Sequence, residues 1–186
     1  MKIRLAVILF CVAVIFCASP AARADSFTFS VLPAGGTVSG PAGSTVGWGY
    51  TITNQSSTNW LVLTGLSADL FLNGTPDASY FTLPILAPNT VATLTFNSGT
   101  YEGLFGLTWD VTAPVGFTNS GTFIVSAEFW DNDPLAGGNF VSLGLDQSAG
   151  YSATVVPSAS SVPEPSTLIL LTTGLIGLVR RRRTRS

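Results

Sequence analysis

The chain has 186 residues, with eight Lys and Arg, ten Asp and Glu, no His and two Cys, and a formal net charge of −2. All eight bases (Lys2, Arg4, Arg23, Arg180, Arg181, Arg182, Arg183 and Arg185) sit near the two ends, so residues 25–162 hold nine acids and no Lys, Arg or His. That excludes nucleic-acid binding, which needs cations against phosphates, removes the usual ligands of phosphate groups, and rules out Ser-His-Asp, Cys-His, lysine Schiff-base and His-ligated zinc chemistry within this stretch.

At the N-terminus, Lys2 and Arg4 precede an apolar run from Leu5 to Ala18. This is the order of a signal peptide, residues 1–24. Ala22 and Ala24 flank Arg23 in the small-x-small pattern, so cleavage is expected before Asp25. An uncleaved signal anchor is the competing reading. Phe16, before Cys17, is not the small residue of a lipoprotein signal. Both cysteines, Cys11 and Cys17, leave with the leader, and the mature domain has no disulfide framework. The secretion translocon and signal peptidase are therefore the first expected partners.

Residues 25–156 show strand alternation rather than a helical period. Phe27, Phe29 and Val31 share a face of Ser26 to Val31; Val46, Trp48, Tyr50 and Ile52 share one of Thr45 to Asn54. Trp60 to Leu66 is nearly continuous apolar and reads as a strand buried on both faces. Leu66 to Leu72 leads into Asn73-Gly74, a turn dipeptide. Tyr80 to Leu83 is a short strand stopped by Pro84. Ala92, Leu94 and Phe96 align in Thr90 to Phe96. In Tyr101 to Val111, Tyr101, Phe105, Leu107, Trp109 and Val111 align. Phe123, Val125, Ala127 and Phe129 align in Gly121 to Trp130, and Tyr151 to Val155 closes the domain. Seven to nine short strands with Gly, Pro and Asn turns predict an all-β, antiparallel β-sandwich of one domain. Gly43 to Leu63, with its aromatic strand ending in Thr53-Asn54, resembles the early strands of immunoglobulin-like modules on bacterial surface proteins. A jelly roll is the alternative. Most aromatics fall in register with aliphatic neighbours and are expected in the core.

Candidate sites are few. Asp131-Asn132-Asp133-Pro134 with Gly137-Gly138-Asn139 is the densest polar stretch. Asp131 and Asp133 offer oxygens for a weak Ca²⁺ site, but Asp, Asn, Pro and Gly are also ordinary turn formers, and the turn is the preferred reading. No other cofactor is expected. Glu102, Asp110 and Glu128 are the carboxylates available for glycoside hydrolysis. Alternation puts each opposite a core-facing neighbour, which marks solubility charges. Trp60, Trp130 and Tyr151 are candidates for stacking on sugar rings, Trp130 first, because it lies on the Glu128 side of its strand.

Residues 157–162 form a Ser- and Ala-rich linker. The tail, residues 163–186, opens with Pro163-Glu164-Pro165, whose prolines disfavour helix in the residues before them. The run 168–179 carries no charge. As a transmembrane helix it is about 18 Å long, short of the ~30 Å hydrocarbon core, so thinning or snorkelling arginines must help it span. Arg180, Arg181, Arg182, Arg183 and Arg185 then stay cytoplasmic, placing the preceding domain outside. A plain membrane anchor would have this order too.

Val162, Pro163, Glu164 and Pro165, the short apolar span and the arginine cluster together resemble the PEP-CTERM sorting signal of Gram-negative bacteria. The resemblance implies recognition by a membrane-embedded exosortase, tail removal near Pro163-Glu164-Pro165, and delivery to the envelope or an extracellular polysaccharide matrix. The Asp131-to-Gly138 stretch also resembles a recurring feature of PEP-CTERM proteins. The expected product is a non-enzymatic matrix or interaction protein. The alternatives are a carbohydrate-binding module and, behind it, a carboxylate glycoside hydrolase.

Overall fold

A computed structural model describes residues 25–159. The expected signal peptide with Ala22 and Ala24, the Val162 to Pro165 motif, the expected helix over 168–179 and the arginine cluster lie outside the described residues.

The domain is all-β, with two facing sheets. The strands are β1 (Phe27–Leu32), β2 (Thr37–Pro41), β3 (Thr45–Asn54), β4 (Trp60–Ala68), β5 (Gly74–Asp77), β6 (Ile85–Leu86), β7 (Val91–Leu94), β8 (Phe105–Trp109), β9 (Thr118–Trp130), β10 (Phe140–Leu143) and β11 (Gln147–Val156). One sheet has the order β1-β3-β8-β5, with β7 also paired to β3; the other runs β2-β11-β9-β4-β6, with β10 also paired to β9. Every pairing is antiparallel except β2 with β11, which is parallel from Thr37–Ser152 to Pro41–Val156. The expected all-β antiparallel sandwich is what the chain forms, with one parallel pair at this edge.

Alternation places the core. Phe27, Phe29, Val31, Trp48, Tyr50, Ile52, Phe123, Val125, Ala127 and Phe129 are all buried, as their spacing predicts. At the centre, Trp48 packs against Phe123 (ring centroids 5.2 Å apart), Tyr151 (5.3 Å) and Phe71 (6.0 Å). Phe71 stacks on Tyr151 at 4.8 Å and on Phe105 at 5.3 Å. The Trp48 indole Nε1 donates to the Gly36 carbonyl at 2.7 Å. Gly49, next in β3, has no room for a side chain: a Cβ there would collide with the Leu94 carbonyl oxygen.

Several boundaries differ from the pattern. Trp60 to Leu66 is not buried on both faces; Leu61 and Leu63 face the core while Trp60 and Val62 are half-buried. Residues 66–72 do not form a separate strand, because β4 continues to Ala68. Asn73 takes positive φ (54°) but links a crossover between the sheets, not a hairpin, because β4 and β5 belong to different sheets. Tyr80 to Leu83 is not a strand; the strand there is the two-residue β6 after Pro84. In Tyr101 to Val111 only Phe105–Trp109 is strand, and Tyr101 and Val111 are exposed at 61 % and 84 %. Tyr101 has a φ of 57° and so breaks the register that alternation alone assumed.

Replacing Trp48 with Ala removes the hub and should cost about 3–5 kcal/mol. A urea titration of W48A should show a lower midpoint with an unchanged slope. A loss below about 1 kcal/mol would contradict the packing described.

Candidate functional site

Three aromatic side chains stand in register on the outer face of the second sheet. Trp60 of β4 lies opposite Trp130 of β9, and Phe140 of β10 lies opposite Trp130 on its other side. Side chains two residues apart share a face, and neighbouring strands are about 4.8 Å apart, so this row spans roughly 10 Å. One step along, Glu128 lies opposite Val62 and Leu143, and Val62 lies opposite Ile85. The result is an apolar surface around one carboxylate.

The row is held in place. Trp130 Nε1 donates to Glu128 Oε2 at 3.2 Å. Phe140 meets the Trp130 ring edge-on at 6.5 Å and 88°. Trp60 and Trp130 are half-buried, whereas Phe140 is 51 % exposed. Tyr151, the third aromatic named from sequence, is 4 % exposed and belongs to the core. Phe140 was not named: β10 is too short and too close to the glycine-rich turn to register as a strand by periodicity. The signal was its position, a return strand directly after Gly137-Gly138-Asn139.

The Asp131–Asn139 segment is the turn of the β9–β10 hairpin. Asp131 N donates to Asn139 O at 3.0 Å, and the Asp131 carboxylate accepts from Asn139 N at 2.7 Å and Nδ2 at 3.2 Å. Asp133 Oδ1 accepts from Leu135 N at 2.9 Å, capping a short 3₁₀ turn, Pro134–Ala136, that ends at Gly137 with φ 88°. Each carboxylate thus accepts from the loop's own N–H groups, as turn-forming Asp residues do. Among the described residues no three His, Cys, Asp or Glu side chains gather to hold a metal ion.

Glu102 and Asp110 lie beyond opposite ends of β8, in the first sheet, and Glu128 faces outward from the second. Glu102 accepts from Thr100 Oγ1 at 2.8 Å. The structure does not bring these three carboxylates together. A groove of about 550 Å³ opens between β1 and β11, lined by Phe29, Val31, Leu32, Ala149 and Tyr151 among others; no carboxylate lines it.

The profile of the PEP-CTERM protein-sorting motif matches residues 161–183. The tail therefore carries that motif. A search of curated proteins finds no match. Among solved structures, the chain is similar to the seventh ScaB type I cohesin from Pseudobacteroides cellulosolvens, at 13% identity over 75% of this chain and 97% of that one, with a TM-score of 0.31.

The hydrogen bonds from Asn139, the backbone N–H first, hold the Asp131 carboxyl below its ordinary value. The charged form is the one that closes the turn. Its stabilising effect is present above the ordinary aspartate pKa and is lost as pH falls through the lower, folded value. The protection of the Asn139 amide, its exchange rate by NMR divided into the intrinsic rate at the same pH, should therefore be undiminished at pH 5 and fall only below the ordinary Asp range near 3.9. In D131N that protection should be low at every pH.

Proposed function

We propose that this chain is an exported, non-enzymatic β-sandwich protein, sorted by its tail to the cell envelope or extracellular matrix of a Gram-negative bacterium, where it has a structural or interaction role. The observation that carries the reading is the sorting motif at residues 161–183 behind an all-β domain. In this reading the translocon and signal peptidase act on the leader. The membrane holds the precursor through residues 168–179. An exosortase recognises Val162 to Pro165, while Arg180 to Arg183 and Arg185 remain cytoplasmic. No cofactor takes part, and any Ca²⁺ at Asp131 and Asp133 would be weakly held. Nine acids without a base keep the domain soluble and apart from nucleic acid.

Intact mass of the protein from envelope and medium, with and without the exosortase, tests this. The expected product lacks residues 1–24 and a tail beginning near Pro163 only when the enzyme is present. An intact tail in the membrane fraction under both conditions would reduce the motif to a simple anchor.

The aromatic row favours a second reading, binding to extracellular polysaccharide. Trp60, Trp130 and Phe140 offer aromatic surface beside the Glu128 acceptor, the combination that takes the C–H face and hydroxyls of a neutral sugar. W130A should weaken binding to a matrix glycan about tenfold, roughly 1.4 kcal/mol. Unchanged affinity in W130A, measured by calorimetry, would remove this reading and leave the sorting reading intact.

A further inference from the structure

The end of the sandwich from which the tail leaves is closed by two loops. Val156, the last residue of β11, lies beside Pro41, the last of β2. The loop after β8 closes on the same place: Gly116 N donates to Val155 O at 2.8 Å, and Val155 N to Phe117 O at 2.9 Å. The crossover after β4 joins it, with Asn119 bonded to both the amide and the carbonyl of Leu72, and Asp110 N donating to Asn73 O at 3.0 Å. These two loops lie side by side at the exit. They expose Leu70 (82 %), Leu72 (54 %), Val111 (84 %) and Val115 (63 %). Single exposed aliphatics need no explanation. Four on two adjoining loops at one end form a patch.

What covers the patch follows from the length of the tether. Eleven residues, 157–167, separate Val156 from the uncharged run 168–179. Fully extended they reach at most about 40 Å, and a relaxed chain of that length averages about 20 Å. When residues 168–179 sit in a membrane, the exit end of the sandwich is the end held nearest the bilayer.

We propose that Leu70, Leu72, Val111 and Val115 form a membrane-contacting surface that dips into the interfacial layer of the outer leaflet while the tail is in place. This rests on the reading of the tail as membrane-inserted. The described domain carries no base, so charge cannot draw it to lipid. Asp69 and Asp110, in the same loops, oppose an anionic surface. The matching partner is a zwitterionic leaflet, bound through apolar area alone. Contact of this kind sets the domain end-on and keeps the linker 157–162 at the height of the membrane.

The leaderless chain with its tail, which lacks Cys, is reconstituted into phosphatidylcholine vesicles without exosortase. Single variants L70C, V111C and L135C carry an environment-sensitive fluorophore, and shallow nitroxide lipids quench it. Leu135 lies in the β9–β10 turn at the far end of β9, some 40 Å from Thr118 at about 3.3 Å per residue. Quenching at 70 and 111 should exceed that at 135 by about twofold or more and survive molar salt, as contact through apolar area requires. Equal quenching at all three sites on chains that float with the vesicles would overturn this proposal alone. Chains that do not float with the vesicles would overturn the inserted tail and this proposal with it.

Discussion

The structure depends on aromatic packing between its two sheets. Residues 25–162 have no cysteine and no base, so neither disulfides nor ion pairs between side chains brace the domain. What remains is apolar burial, backbone pairing and amide hydrogen bonds. Trp48, Phe71, Phe105, Phe123 and Tyr151 form one connected cluster drawn from both sheets and from the crossover between them. Aromatic pairs of this kind add about 0.5–1.5 kcal/mol each beyond their buried area. β3 supplies the hub residue and pairs with β1, β7 and β8, so the packing of Trp48 and the order of the first sheet stand or fall together.

Amides do the joining that charges do in other domains. Asn54, fully buried at the end of β3, donates through Nδ2 to the carbonyls of Asn59, Leu86 and Ala87, and accepts from Ser56 N through Oδ1. It thereby ties the first sheet to β6 of the second. Asn119 does the same for the crossover at Leu72. A buried polar group left without a partner costs about 1–3 kcal/mol. The Trp109 indole N–H is the one such side-chain atom found among the described residues. A neutral amide offers both donor and acceptor without the desolvation cost of a buried charge, which suits a domain with only acids to place.

Among the exposed apolar groups outside the core, two have contrasting neighbours. The Trp60–Trp130–Phe140 row is aromatic, partly buried and edged by Glu128 on a sheet face. The exit-end patch is aliphatic, strongly exposed and carried on loops. The first suits a ligand with a defined face and hydroxyls. The second suits a partner without shape, because loop aliphatics fix no geometry. The surface carries acids and no base, which repels acidic polymers.

The sequence by itself determined the all-β class, the inward residues of β1, β3 and β9, the turn at Asp131 to Asn139 and the sorting motif. Each follows from local rules: period-two alternation, turn chemistry, or a linear order of proline, apolar run and arginines. Tertiary structure alone decided the parallel pairing of β2 with β11, the true ends of β4 and β8, the burial of Tyr151, and the alignment of Trp60 with Trp130 and Phe140. Those depend on which strands become neighbours. Alternation assigns a residue to a face of its own strand, but a row across three strands exists only once register between distant segments is set. The clustering of Leu70, Leu72, Val111 and Val115 is of the same kind, since residues forty positions apart meet only where the chain crosses between sheets.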